Sequence, residues 1–289
     1  MSREDNPHSP FDIPHLEDRP PQQQTLVLSV TSGKGGVGKT NVAVNLGLAL
    51  TRLGKKVLIF DTDLGLANVD LLLNLHPQYT LHDVLTGARR IEEIVLDGPD
   101  GLRVLPAFSG VDEVRALTEA QRLELAAQFE AWRPDIDVLL LDTGAGIGPN
   151  VMFFNVVAQH ILVVVTPEPT SITDAYALMK VLSARYREKR FLLLVNMAHD
   201  ERQGRETYRQ IVQVADRFLD VSINYLGAIP RDPDVTRAVQ SRRPLLDAFP
   251  HSPAAKALAD LAQTVAALES PPSPKGNIQF LWRRVLQVE

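Results

Sequence analysis

The chain has 289 residues, 45% of them hydrophobic, a formal net charge of -5 and no cysteine. That length suits one large α/β domain or two small ones, with enough apolar residues for a sizeable core. The missing cysteines exclude disulfide scaffolds, thiolate metal sites and thiol chemistry; the acidic balance offers no global basic field for nucleic acid; and no apolar run reaches the roughly 18 residues of a membrane span.

Residues 1–24 have no apolar core of a secretory signal; they are polar and proline-rich and read as a disordered tail. Within them Phe11, Ile13 and Leu16 are candidate docking anchors. TLVLSVT (25–31) reads as a strand ending in a glycine-rich loop, and 41–54 as a helix with Gly54 as its C-cap. Further strands are expected at 56–61, 102–107, 138–142, 160–166, 191–196 and 223–230. They are apolar and β-branched throughout, as strands buried on both faces are. Helices are expected at 115–132, 150–158, 172–187, 205–218, 232–241 and 253–268. The alternation predicts a single α/β domain over 25–268, with a mostly parallel twisted sheet and helices on both faces. Residues 269–276 form a proline-rich linker, and 277–289 a short amphipathic helix.

Gly33-Lys34-Gly35-Gly36-Val37-Gly38-Lys39-Thr40 fits the phosphate-loop pattern G-x-x-x-x-G-K-[ST], after a predicted strand and before a predicted helix, which marks the domain as a P-loop NTPase. Its glycines let backbone N–H groups face phosphate oxygens. Lys39 is placed to neutralise the β and γ phosphates, and Thr40 to offer a hydroxyl to Mg²⁺ at the positive end of a helix. Asn41, next in that helix, is a further candidate nucleotide-binding residue. Asp61 and Asp63 follow the second strand, and Asp142 ends the strand VLLL. In a parallel sheet these carboxylates emerge at the same edge as the loop, where an acid can hold Mg²⁺ or position the attacking water.

At these residues the chain closely resembles the MinD/ParA ATPases, whose deviant phosphate loop KGGVGKT carries an early lysine. Within that group it is similar to the flagellar-number regulators called FlhG or FleN, on GLANVDLLLNLHPQYTLHDVL (65–85), DTGAGI (142–147), TPEPTSITDAYALMKVL (166–182) and LLVNMA (193–198). Thr143 and Gly144 depart from the DSPAGI of the cell-division branch. The resemblance implies an ATP- and Mg²⁺-dependent ATPase that dimerises when ATP is bound. Lys34 would reach across to phosphates held by the other subunit. Asp63 would position the hydrolytic water, Asp61 would support the Mg²⁺ site, and Asp142 would hold a Mg²⁺ water. Asn196 would read adenine, with Pro230, Arg231 and Asp232 closing over base and ribose. Guanine-specific relatives carry Asn-Lys-x-Asp where this chain has Asn196-Met197-Ala198-His199, so adenine is favoured. A physical argument supports a dimer: phosphoryl transfer gains from an extra cation at the developing charge, and the loop interior is already filled by Lys39 and the backbone amides.

In 277–289, Ile278, Leu281, Trp282 and Val285 fall on one helical face, widened by Phe280 and Leu286, with Lys275, Arg283 and Arg284 nearby. This pattern suits the inner face of the cytoplasmic membrane, where two helices of a dimer would bind better than one; packing on the domain's own core is the alternative. Partners in flagellar assembly or its transcriptional control are implied, and the face of helix 172–187 around Asp174 is a candidate docking surface. Residues 1–24 hold nothing that aligns with the DQAxxLR motif of many flagellar-branch members, which puts stimulation of a GTPase partner in doubt. His76, His82 and His160 read as surface or packing residues, and Arg242-Arg243 as a solvated face. The competing readings are a DNA-partitioning, ParA-like ATPase, against which the acidic charge and the terminal helix both argue, and a generic MinD-like cell-positioning ATPase. A cluster-carrying relative is set aside because there is no cysteine.

Overall fold

In the computed structural model, residues 25–107, 116–132 and 134–268 are described. The tail 1–24, the linker and the helix expected at 277–289, with Ile278, Phe280, Leu281, Trp282 and Val285, lie outside them.

Eight strands are β1 (Leu26–Ser32), β2 (Val57–Thr62), β3 (Leu96–Asp97), β4 (Arg103–Leu105), β5 (Val138–Ala145), β6 (His160–Val165), β7 (Arg190–Ala198) and β8 (Ser222–Pro230). They form one sheet in the order β3-β4-β2-β5-β1-β6-β7-β8. All neighbours run parallel except β3 with β4. The two-residue β3 has no apolar pattern to mark it beforehand.

The helices are α1 (Lys39–Arg52), α2 (Val69–Leu72), α3 (Leu81–Leu85), α4 (Glu119–Trp132), α5 (Pro149–Val157), α6 (Pro169–Tyr186), α7 (Glu201–Phe218), α8 (Pro233–Gln240), α9 (Leu245–Ala248) and α10 (Pro253–Ala266). The strand side chains divide by parity, as the pleat requires. Leu28, Ile59, Leu140 and Leu162 join a core with α1 and α10. On the other face, Leu58, Phe60 and Leu141 meet α4 and α5, while Val163, Leu193 and Val195 meet α6 and α7. Both faces are therefore covered.

Two helices, α6 and α7, begin three and four residues earlier than the apolar pattern suggested. Pro169 opens α6, its missing N–H falling where no intrahelical bond would form. Asp200 caps α7 by accepting the Gln203 N–H at 2.8 Å, which brings Gly204 inside the helix. Gly204 is tolerated there because any side chain would collide: a Cβ would lie 2.5 Å from Tyr225 Oη and 2.6 Å from Ala228 Cβ. The short α2, α3 and α9 are too brief for helical periodicity to reveal.

Candidate active site

β1 lies at the centre of the sheet, and its C-terminal end delivers the glycine loop directly into α1. Gly38, φ 85°, turns the chain into the helix with a conformation that suits glycine. Its hydrogen also faces a neighbour closely: a Cβ there would lie 2.4 Å from Asn196 Nδ2. Gly33 is equally constrained, since a Cβ would lie 2.1 Å from the Asp174 carbonyl oxygen in α6. Residues 35–41 line a cavity of about 770 Å³ together with Asp63, Leu66 and Gly144.

The floor of this cavity is buried and ionic. Lys39, 8% exposed, donates from Nζ to Asp142 Oδ1 at 3.0 Å, with Asp142 1% exposed. Asp61 pairs in register with Asp142 across β2 and β5. Burial, and then the neighbouring Asp142 charge, push the Asp61 carboxyl up to about 7. Three backbone N–H groups hold it: Asp63 at 3.1 Å, Asn68 at 3.0 Å and Val69 at 3.2 Å. Asp61 thus organises the loop between β2 and α2, and Asp63, not Asp61, lines the cavity. Burial also pushes the Asp63 carboxyl up, opposed by the Lys39 charge and reinforced by Asp142. Gly144 leaves room beside it, since a Cβ there would sit 3.2 Å from Asp63 Oδ1.

Beneath the loop lies a polar network that the apolar strand pattern hides. Asn155 of α5 accepts from Ser29 Oγ at 2.8 Å and donates to Thr31 Oγ1 at 3.0 Å. Thr143 Oγ1 donates to Thr31 Oγ1 at 2.9 Å, tying β5 to β1. All four residues are buried, and each hydroxyl and amide is paired, so the loop's foundation is rigid.

Lys34 lies outside the loop interior. Its Nζ donates to Glu168 Oε2 and Thr170 Oγ1, both at 2.9 Å, at the start of α6. The lysine side chain is 37% exposed. Leu66 (73% exposed) and Ile147 (55%) stand beside the two carboxylate loops, and Leu71 is also exposed.

A second cavity, about 660 Å³, adjoins the first and is lined by Asn196, Met197, Pro230, Arg231 and Asp232. Asn196 donates from Nδ2 to the Val37 carbonyl at 2.8 Å and accepts the Met197 N–H at 2.9 Å. It therefore latches β7 to the phosphate loop while facing this cavity. Asp232 accepts the Asp234 N–H, capping α8, and the Ala254 N–H at the start of α10. The structure thus brings residues 35–41 and the residues expected at the base into two joined cavities, whereas Gly33 and Lys34 line neither. Arg242, read from the sequence as a solvated residue, lines the first of them.

The residues present fit Mg²⁺. Thr40 and Asp63 line the phosphate cavity, Asp142 lies buried behind it, and Asp61 sits beside Asp142 in register. These are hard oxygen donors, and the described residues contain no group of three or more His, Cys, Asp or Glu able to hold a metal by themselves. Such a donor set suits an ion that keeps waters and binds through substrate phosphates.

A family model for the CobQ/CobB/MinD/ParA nucleotide binding domain matches residues 28–245. The chain is 47% identical over 261 residues to the antiactivator FleN of Pseudomonas aeruginosa, covering 90% of this chain and 93% of that protein. It is 32% identical over 267 residues to the flagellum site-determining protein YlxH of Helicobacter pylori, covering 91% and 90%. Among solved structures, the septum site-determining protein MinD of Pyrococcus horikoshii complexed with Mg-ADP aligns with a TM-score of 0.69 at 27% identity, over 84% of this chain and 96% of that one. A chain of the MinC:MinD cell division protein complex of Aquifex aeolicus aligns with a TM-score of 0.69 at 28% identity, over 87% of this chain and 100% of that one.

Proposed function

The chain belongs to the CobQ/CobB/MinD/ParA nucleotide-binding family, and on that premise we propose that it is an ATP-dependent dimerising switch that regulates the number or placement of flagella. The two flagellar relatives and the MinD structures support the class of function. The observation that carries the switch is the division of labour between the two lysines. Lys39 is committed to the buried floor with Asp142. Lys34 sits on the outside, held only by an exposed pair with Glu168 and a hydroxyl. Exposed pairs of that kind contribute about 0–1 kcal/mol, so Lys34 is easily released. The exposed Leu66, Leu71 and Ile147, on the segments that follow β2 and β5, supply an apolar rim that a second copy would cover.

In this reading ATP enters with its phosphates on residues 33–40 and its base in the cavity of Asn196, Pro230 and Asp232. Thr40 and, through a water, Asp142 would hold Mg²⁺, with Asp61 supporting that site from behind, and the ion would supply neutralisation of the phosphate charge. Asp63 orients the water for in-line attack on the γ-phosphorus, and Lys34 of the opposite subunit stabilises charge on the transferring group. Hydrolysis to ADP and phosphate is slow and opens the dimer, so the nucleotide acts as a clock on a population shift.

Membrane contact belongs to residues 277–289. No helix among the described residues is long and apolar enough to cross a membrane. Ile278, Phe280, Leu281, Trp282 and Val285 would instead lie in the interface at the inner face of the cytoplasmic membrane, and dimerisation would double the contact. Protein partners in flagellar assembly or its transcriptional control would read the dimer.

One experiment tests both parts. Flagella are counted in cells lacking the chain and in cells complemented with the full chain or with a truncation ending at Ser270. Deletion should alter flagellar number or position, the full chain should restore it, and the truncation should not. Unaltered flagella on deletion would overturn the flagellar role, and full rescue by the truncation would overturn the membrane role.

A further inference from the structure

Arg242 has three properties that coincide at no other described residue. It lines the phosphate cavity, it takes a left-handed backbone conformation, and its guanidinium has no carboxylate partner among the described residues. α8 ends at Gln240 with Ser241 as its C-cap. The next residue, Arg242, has φ 51°. Its N–H donates to the Val239 carbonyl at 3.0 Å, and the Arg243 N–H reaches back to the Ala238 carbonyl at 3.1 Å. Those two bonds define a Schellman cap, whose left-handed position is usually glycine because a side chain there costs stability. Arg187 takes the same conformation at the end of α6, so conformation alone says little. What sets Arg242 apart is where the cap is held.

The cap is pinned against the first turns of α1. Asn45 accepts the Leu246 N–H at 3.1 Å and donates to the Asn41 carbonyl at 2.8 Å. Val239, one turn before Arg242, lines both the phosphate cavity and the base cavity, as do Gly38 and Asn41. Arg242 therefore lines the phosphate cavity close to Val239, where the two cavities meet. The charges around the phosphate cavity sharpen the point. Lys39 is paired with Asp142, and Lys34 with Glu168. The adjacent Arg243 donates to the Asp247 carbonyl and not into the cavity. Of the described residues that line the phosphate cavity, Arg242 is the basic one with no ion pair, and it is exposed at the mouth of a site built for a polyanion.

We infer that Arg242 is a nucleotide-binding residue supplied in cis, its guanidinium gripping the phosphate end that ADP and ATP share, next to the ribose. The proposal rests on the nucleotide-switch reading above and adds a contact to it. It explains why a side chain is kept where glycine would be more stable: the cap gives up stability to hold a cation on the mouth of the site. It also predicts a signature that a merely structural residue would not produce, because relieving the backbone should stabilise the fold while weakening the ligand.

The test compares wild type, Arg242→Gly, Arg242→Ala and Arg242→Lys for Mg-ADP and Mg-ATP affinity by calorimetry at low salt, with Tm of the nucleotide-free protein. Arg242→Gly should raise Tm by about 2–4 °C, the shift expected for relief of one left-handed side chain. The Gly and Ala variants should each bind both nucleotides about tenfold more weakly, as loss of a charge-assisted contact implies. Arg242→Lys should fall between them and the wild type. Unchanged affinity in the Gly and Ala variants overturns the proposal, as does a loss confined to ATP. Wild-type protein that binds neither nucleotide would instead remove the nucleotide-switch reading, and this proposal with it.

Discussion

The floor and the rim of the phosphate cavity are built from the same kinds of residue and behave in opposite ways. In the floor, Lys39 and Asp142 are buried against each other, Asp61 is held by three backbone N–H groups, and Thr31, Thr143 and Asn155 satisfy one another. In the rim, Lys34 lies on an exposed glutamate and Leu66, Leu71 and Ile147 face outward. Low dielectric makes the floor's polar contacts strong and their disruption costly, whereas water screens those of the rim. A floor of this kind preorganises the site in a single subunit. A rim of this kind is free to exchange its contacts for those of a second copy.

Substitutions that cross that divide should separate stability from assembly. The largest effect is expected at Lys39. Lys39→Ala leaves Asp142 buried without its cation beside an already crowded Asp61, which should lower stability by about 3 kcal/mol or more in denaturant titration. It should also remove measurable nucleotide binding. A Lys39→Ala protein as stable as wild type would show that the floor is not the rigid part.

Asp61 gives the next effect, and it depends on pH. Its carboxyl is pushed up to about 7 by burial and by Asp142, against an ordinary 3.8. Below about pH 4 the group is protonated in both folded and unfolded chains and contributes no pH dependence. Between about 4 and 7 the unfolded chain releases the proton while the folded one retains it, so stability falls as pH rises. Above about 7 both are ionised and the decline ends. The nucleotide-free wild type should therefore lose stability over that window, on the order of a few kcal/mol at about 1.4 kcal/mol per pKa unit. Asp61→Asn should show a shallower decline in chemical denaturation from pH 4 to 7. Parallel curves for the two proteins would remove Asp61 as the titrating group.

The same divide accounts for what could be read from the chain beforehand. The glycine loop, its lysine and the apolar strands announce themselves because each rests on local pattern: fixed spacing, or a run of β-branched residues. Asp61, Asp63 and Asp142 followed from strand ends in a parallel sheet, though which of them faces the cavity did not. Asp61 turns inward only because the N–H groups of Asn68 and Val69, seven and eight residues on, converge upon it. Asn155 was hidden in a helix that reads as uniformly apolar, and its partners come from strands more than 100 residues away. Arg242 is exposed, as SRRP suggests, but its place on the phosphate cavity could not be read because nothing in SRRP shows that α9 is tied to α1 through Asn45. Contacts of that sort depend on packing between distant segments, and no periodicity reports them.

At the rim the effect on the monomer should be smallest and the effect on assembly greatest. Lys34→Ala removes an exposed ion pair, so stability should stay within about 0.5 kcal/mol of wild type and the loop should still bind nucleotide. The decisive measurement is light scattering of wild type and Lys34→Ala in Mg-ATP and in Mg-ADP. The account predicts that wild type forms dimers in ATP and monomers in ADP, while Lys34→Ala remains monomeric in both. Dimers of Lys34→Ala in ATP, as abundant as those of the wild type, would contradict it.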